Sequence, residues 1–234
     1  MSIADNLAEV RERIDAAARR AERQPGDIAL MAVSKTFPPA CIREAYDAGV
    51  RLFGENRVQE FAGKIDSLRD LRDAEFHLIG HLQTNKSAKA VELFSAVDSV
   101  DSLRLAQKLN ASAEQSGKKI SVLIEINVGG EIAKSGVAPG SRELEALLSG
   151  AQALPHLDFR GLMTVPPFTD DPQAPRPYFR QLREFRDHIA ARKLPAIDMR
   201  TLSMGMSHDF EVAIEEGSTC VRVGTAIFGE RTKA

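Results

Sequence analysis

The chain has 234 residues, with 31 Lys+Arg against 33 Asp+Glu for a formal net charge of −2, and 43 % hydrophobic and 27 % charged residues. That balance excludes an intrinsically disordered chain, which is poor in apolar residues and rich in net charge, and it leaves no basic excess for an electrostatic nucleic-acid binder. The length suffices for a sizeable core in one domain or two.

The first element is a helix. Ile3, Leu7, Val10, Ile14, Ala17 and Ala21 recur at three- and four-residue steps, Ser2 stands as N-cap, and Gln24-Pro25-Gly26 ends it. From there apolar runs alternate with helical stretches. Ile28–Val33 reads as a strand buried on both faces, followed by a helix over Pro39–Ala48. Val50–Phe53 is the second strand, with a helical stretch over Val58–Leu71. Phe76–Ile79, Ala96–Val100 and Ile120–Ile126 are the third to fifth strands. Phe159–Val165, Thr201–Met204 and Cys220–Phe228 are the sixth to eighth. Further helical stretches fall over Ser102–Gln115, Ser141–Leu154, Tyr178–Arg192 and Asp209–Glu216.

Strands separated by helices pair in parallel, because each return needs a crossover. The expected fold is α/β. The count of eight favours a single (β/α)8 TIM-type barrel over an open doubly wound sheet. Residues 1–24 form an extra N-terminal helix packed on a barrel domain that takes in the whole chain, 1–234. The proline-rich stretch from Pro166 to Pro177 reads as a long loop after the sixth strand.

Two cysteines, Cys41 and Cys220, cannot make a disulfide framework and read as small apolar side chains. The N-terminus is too charged for a signal peptide, and no apolar run approaches the ~18 residues of a membrane span. A cytoplasmic protein is expected.

Barrel active sites lie at the C-terminal ends of the strands. Lys35 follows the first strand, where a desolvated amine serves as a Schiff-base nucleophile; the bland alternative is a solvated strand-end lysine. Two small-residue turns, Ser203-Met204-Gly205-Met206-Ser207 and Gly224-Thr225, let backbone N–H groups approach an anion, and barrels often bind phosphate after strands seven and eight. Arg222, inside an apolar run, needs an acceptor, either a ligand or a barrel carboxylate such as Glu55 or Glu125. Asn56 and Asn127 are strand-end amides, and Lys86 and Lys134 are loop lysines that default to solvation. His77 and His81 lie four apart on a strand reading, which makes a zinc site improbable. No Walker loop and no GxGxxG after the first strand is present.

Several segments resemble one family. They are Ala32-Val33-Ser34-Lys35, Phe53 to Glu60 (FGENRVQE), His77 to Lys86 (HLIGHLQTNK), Lys134-Ser135-Gly136, Gly161-Leu162-Met163, Leu202 to Ser207 (LSMGMS) and Arg222 to Gly229 (RVGTAIFG). Together, from about Ile28 to Arg231, they resemble the pyridoxal 5′-phosphate (PLP) homeostasis proteins, the YggS/PROSC-like family. His208 stands where many members have an acidic residue. The resemblance implies a barrel like the N-terminal domain of alanine racemase, with PLP at its mouth. It implies that Lys35 forms the internal aldimine with the PLP aldehyde. It further implies that Ser203, Gly205, Ser207, Gly224 and Thr225 cradle the phosphate, Arg222 faces the pyridine nitrogen, and Asn56 and Met163 line the ring pocket.

An arginine partner leaves that nitrogen unprotonated, because a guanidinium has no acceptor; the ring is then a weaker electron sink. The resulting expectation is a PLP carrier in PLP homeostasis, storing or delivering the cofactor without robust catalysis. Its partners would be PLP and recipient apo-enzymes, with no nucleic acid, no membrane and a monomeric state. Only Gly229–Ala234 follow the eighth strand, so no second domain is expected to close the site. The alternative is a PLP-dependent amino-acid racemase. It needs a second acid/base group, and the two tyrosines, Tyr46 and Tyr178, fall in helical stretches. A cofactor-free Schiff-base aldolase would also use Lys35 and a phosphate site, but accounts less well for Arg222.

Overall fold

The structure is a computed structural model that describes residues 2–131 and 134–230. Eight parallel strands close into a barrel in chain order: β1 (Ala29–Val33), β2 (Leu52–Glu55), β3 (Glu75–Leu78), β4 (Ala96–Val100), β5 (Ile120–Glu125), β6 (Leu157–Met163), β7 (Ile197–Met206) and β8 (Cys220–Val223). Closure comes from β1 beside β8, in register from Ala29 with Cys220 to Ala32 with Val223. The helices are α1 (Ile3–Arg20), α2 (Pro39–Asp47), α3 (Val58–Ala62), α4 (Ser87–Leu93), α5 (Leu103–Gln115), α6 (Arg142–Gly150), α7 (Arg176–Ala191), α8 (Phe210–Glu215) and α9 (Thr225–Phe228). The expected barrel with a preceding helix is what forms.

Helix α1 starts as its sequence dictates. Ser2 Oγ accepts the Asp5 N–H at 3.1 Å, and the Ser2 N–H donates to the Asp5 carboxylate at 3.0 Å, a reciprocal capping box. Its buried face, Leu7, Val10, Ile14, Ala17 and Ala18, packs on α8 and α9. Arg13 adds a two-pronged pair with Glu211, and Asn6 Nδ2 donates to the Ile227 carbonyl at 2.8 Å. Thus the N-terminal helix braces the two helices that border the last barrel strands.

The layer between strands and helices is built from aromatic contacts. Phe53 stacks on Phe76 at 5.3 Å between ring centroids, Phe76 meets Phe61 at 4.7 Å, and Phe61 meets Phe94 at 4.8 Å. Burying each such ring stabilises the fold by roughly 1.5–3 kcal/mol.

Three elements depart from the sequence expectations. The eighth strand stops at Val223 instead of running to Phe228, because Gly224, at φ −115° and ψ −76°, turns the chain into α9. Its apolar tail follows the helix, with Ile227 buried. The expected helix over Val58–Leu71 breaks after Ala62 into a turn and a 3-10 segment, Ile65–Leu68. The seventh strand is longer than its apolar run, because Ile197 pairs with Phe159 of β6 at one end and Met206 with Arg222 of β8 at the other.

Gly161 is obligatory at the β6–β7 irregularity. At φ +151°, a Cβ there would lie 1.9 Å from the Thr201 carbonyl oxygen. Among the described residues, no helix is long and apolar enough to cross a membrane.

Candidate functional site

The C-terminal ends of β1, β2, β6, β7 and β8 surround a cavity of about 400 Å³. Of the residues singled out in the sequence, Lys35, Asn56, Ser207, Arg222, Gly224 and Thr225 line it. Met163, Ser203 and Gly205 are not among its lining residues; all three are buried behind it.

Arg222 is the floor of the cavity. It is only 3 % exposed. Its Nη1 donates to Ser203 Oγ at 2.8 Å and its Nη2 to the Thr164 carbonyl at 2.7 Å. Burial pulls the guanidinium pKa below the usual arginine value, opposed by Cys220, Asp98, Glu125 and Asp209. Neither carboxylate anticipated as its partner bonds it directly. Glu55 instead accepts from Ser34 Oγ at 2.7 Å and from Lys64 Nζ at 3.1 Å. Glu125 acts on Arg222 only through space, and its buried Oε2 has no hydrogen-bond partner.

The turn after β8 presents backbone donors. Ser207 Oγ accepts the Gly224 N–H at 3.1 Å and the Ala226 N–H at 3.3 Å. The Ser207 hydroxyl and the turn's backbone thereby meet at one edge of the cavity. Gly224 also has to pass close to β1, since a Cβ would sit 3.3 Å from the Val33 carbonyl oxygen.

Gly205 acts from further back. At φ +94°, a Cβ would lie 2.6 Å from Ala213 Cβ and 2.9 Å from Phe210 Cα. Its lack of a side chain brings α8 against the end of β7. Ser203 likewise reaches the cavity only by holding Arg222.

Lys35 is half-buried at the end of β1. The residue after it, Thr36, has φ +69°, uncommon for a non-glycine. Its N–H donates to Glu60 Oε1 at 2.5 Å.

Phe37 and Phe168 carried no sequence signal, and Val165, Pro167 and His208 were not singled out as site residues. Phe37, Val165, Pro167, Phe168 and His208 shape the rim. Phe37 stacks on Phe228 at 5.0 Å between centroids. Phe168 is 82 % exposed, and His208 Nε2 pairs with the Asp170 carbonyl at 2.9 Å. These contacts join loops distant in sequence, so no local pattern announces them.

The remaining candidates lie elsewhere. His77 Nδ1 pairs with Asp98 at 3.2 Å, beside a second cavity of about 610 Å³ bordered by strand-start residues such as Ala29, Leu52 and Cys220. Burial opposes charge on His77, but Asp98 and Glu75 outweigh it and raise its pKa to about 9. His81 pairs with Asp101, and no group of three or more metal ligands occurs among the described residues. Cys220 is buried, with its thiol pushed up to about 12 by burial; Cys41 is only half-buried. Lys134 donates to the Pro166 carbonyl at 3.1 Å and pairs with Glu131. Tyr46 donates to Asp73 at the surface. Neither Tyr46 nor Tyr178 lines the mouth cavity.

The sequence profile of the alanine racemase N-terminal domain matches residues 6–232. The chain is 47 % identical over 231 residues to the pyridoxal phosphate homeostasis protein of Aquifex aeolicus, covering 99 % of each chain. It is 45 % identical over 236 residues to the one from Escherichia coli K12, covering 98 % and 97 %. Among solved structures it is similar to PipY of Synechococcus elongatus with PLP bound, at TM-score 0.84 and 38 % identity, covering 97 % of this chain and 100 % of that one. Alanine racemase of Streptomyces coelicolor shares the fold at TM-score 0.73 and 22 % identity, with 96 % of this chain matched to 59 % of that one.

Proposed function

This chain belongs to the pyridoxal phosphate homeostasis protein family, and from that membership we propose that it binds PLP at the barrel mouth, joined to Lys35, and holds it for storage or delivery without robust turnover. The observation that carries this reading is the convergence of Lys35, Arg222, Ser207 and Gly224 on one cavity of about 400 Å³. That space lies within the range typical of small-molecule sites, roughly 300–1,000 Å³.

The residues present fit the cofactor. When bound, PLP supplies an aldehyde electrophile and an aromatic ring able to delocalise charge. Lys35 would hold it through its amine, the nucleophile that an aldehyde carbon takes up. Ser207, Gly224 and Thr225 hold the phosphate through hydroxyl and backbone donors. Arg222 would face the ring nitrogen as a donor and, having no acceptor of its own, would leave that nitrogen unprotonated. Asn56 flanks the ring. Ser203 serves by fixing Arg222, Gly205 by seating α8, and Met163 by packing behind the site.

Holding is favoured over turnover by the placement of the tyrosines. Racemisation needs acid/base groups on both faces of a substrate carbon. Tyr46 is committed to Asp73 and Tyr178 sits on α7, neither of them in the cavity lining. A site whose described lining holds no tyrosine suits a carrier whose recipients are apo-enzymes.

The test is a visible absorption spectrum of purified protein with added PLP, followed by borohydride reduction and peptide mapping. The expected result is a covalent chromophore mapping to Lys35. No chromophore, or a label on another lysine, would overturn the reading.

A further inference from the structure

The segment carrying Lys35 is held by a buried charge network outside the cavity lining. Lys64 is 8 % exposed and Glu55 is fully buried. Lys64 Nζ donates to the Ser34 carbonyl at 3.2 Å, to Glu55 Oε1 at 3.1 Å and to Glu60 Oε1 at 2.7 Å. Ser34 Oγ donates to Glu55 Oε1 at 2.7 Å. The same Glu60 oxygen accepts the Thr36 N–H at 2.5 Å. Both neighbours of Lys35 in the chain are therefore tied to one ammonium and its two carboxylates.

The break in the α3 region makes this possible. The chain leaves the helix after Ala62, and Lys64 turns inward from the following turn, with its N–H bonded to the Phe61 carbonyl at 2.9 Å. A residue with a branched β-carbon is disfavoured in the left-handed region, so Thr36 at φ +69° persists only because its surroundings hold it. The holding contacts are Glu60 on the Thr36 N–H and the Phe37 N–H on the Ser34 carbonyl at 3.1 Å.

We propose that Glu60, braced by Lys64, is a positioning residue for Lys35: by accepting the Thr36 N–H it fixes the left-handed turn that directs the Lys35 amine into the barrel mouth. Glu60 does not line the cavity. It acts through the backbone, not on a ligand. Ionisation of Glu60 suits this role. Burial opposes its charge, but the hydrogen bonds from Lys64 and Thr36 outweigh burial and hold its pKa below the ordinary value. The inference rests on the Lys35–cofactor reading for its functional consequence, though not for its geometry.

The experiment compares Glu60→Ala and Glu60→Gln in the full chain. Gln retains a carbonyl oxygen that can accept the Thr36 N–H, whereas Ala retains nothing. Two readouts are taken: growth of the absorption band with added PLP, and acetylation of Lys35 by acetic anhydride without PLP, normalised to Lys86 by mass spectrometry. Glu60→Ala is expected to slow the band on the order of tenfold, since displacing a reacting group by ~1 Å can cost ~100-fold. It is also expected to raise Lys35 acetylation several-fold as the amine leaves its half-buried position. Glu60→Gln should restore both readouts to near the unsubstituted values, with melting temperatures of both variants recorded to exclude unfolding. Unchanged Lys35 acetylation in Glu60→Ala, or a Gln variant as defective as the Ala variant, would overturn the inference. If the unsubstituted chain forms no band, the cofactor reading fails, and the acetylation comparison alone decides the role of Glu60.

Discussion

Ser203 Oγ accepts a hydrogen bond from Arg222 Nη1 at 2.8 Å, across the β7–β8 seam and shielded from solvent. The pair explains how a serine behind the cavity belongs to the site. It fixes one arm of the buried guanidinium that we propose as the partner of the ring nitrogen. Removing the hydroxyl leaves a charged donor without its partner, at a cost of about 1–3 kcal/mol. Ser203→Ala is expected to lower thermal stability and to shift the spectrum of the bound cofactor, while inorganic phosphate binding persists. Titration with phosphate beside the PLP spectrum checks this.

Arg222→Ala should separate ring recognition from phosphate recognition more sharply. The Ser207–Gly224 edge does not depend on the guanidinium for its hydrogen bonds. PLP affinity should fall at least tenfold, and phosphate affinity should change little. Equal losses of both, measured by calorimetry, would count against the assigned role of Arg222.

Lys35→Ala should abolish the covalent chromophore while leaving weaker, reversible PLP binding through Arg222 and the Ser207–Gly224 turn. Equilibrium dialysis with and without borohydride separates the two modes. Retention of a borohydride-trapped adduct elsewhere at equal yield would show that the nucleophile is not Lys35.

Gly205→Ala should destabilise the fold through α8. The new Cβ would meet Ala213 Cβ at 2.6 Å, at a φ of +94° that suits glycine. Overpacking and backbone strain of this kind cost about 1–3 kcal/mol each. Denaturant unfolding would register the loss, with reduced PLP binding as α8 shifts.

A buried carboxyl and a half-buried histidine set an expected pH dependence. Burial raises the Glu125 pKa to about 7, with Asp101 adding to the shift and Arg222 opposing it. Its folded-state pKa is above its unfolded value, so its contribution is fully present below the ordinary carboxyl range and is lost as pH rises through about 7. His77 has a raised pKa as well, so its pairing with Asp98 contributes below the unfolded histidine pKa and is lost as pH rises through about 9. Glu125→Gln should therefore be more stable than the unsubstituted chain at pH above about 7, with the gain shrinking towards acid. His77→Gln should flatten the decline between the ordinary histidine value and about 9. Unfolding free energies across that range provide the check.

The architecture was legible because buried parallel strands and amphipathic helices write their periods locally. The run ISVLIE of β5 and the apolar stripe of α1 need no tertiary context to be recognised. So did the mouth residues carried by strand ends, Lys35, Asn56 and Arg222, since barrel topology assigns strand ends to one face. The roles proposed for them rest on the family resemblance.

What tertiary structure alone decided are the pairings between distant residues. Glu55 was a plausible partner for Arg222 by charge, yet it went to Ser34 and Lys64, because the chain breaks after Ala62 and turns Lys64 inward. The turn at Gly224 ended β8 early, because the Gly224 and Ala226 N–H groups find Ser207 on the neighbouring strand's loop. Hydropathy period records which faces are buried, not which buried polar group meets which. That choice is made by desolvation: a buried donor or acceptor left without a partner within hydrogen-bond reach carries a cost, and Ser34, Lys64 and Glu55 avoid it by pairing with one another.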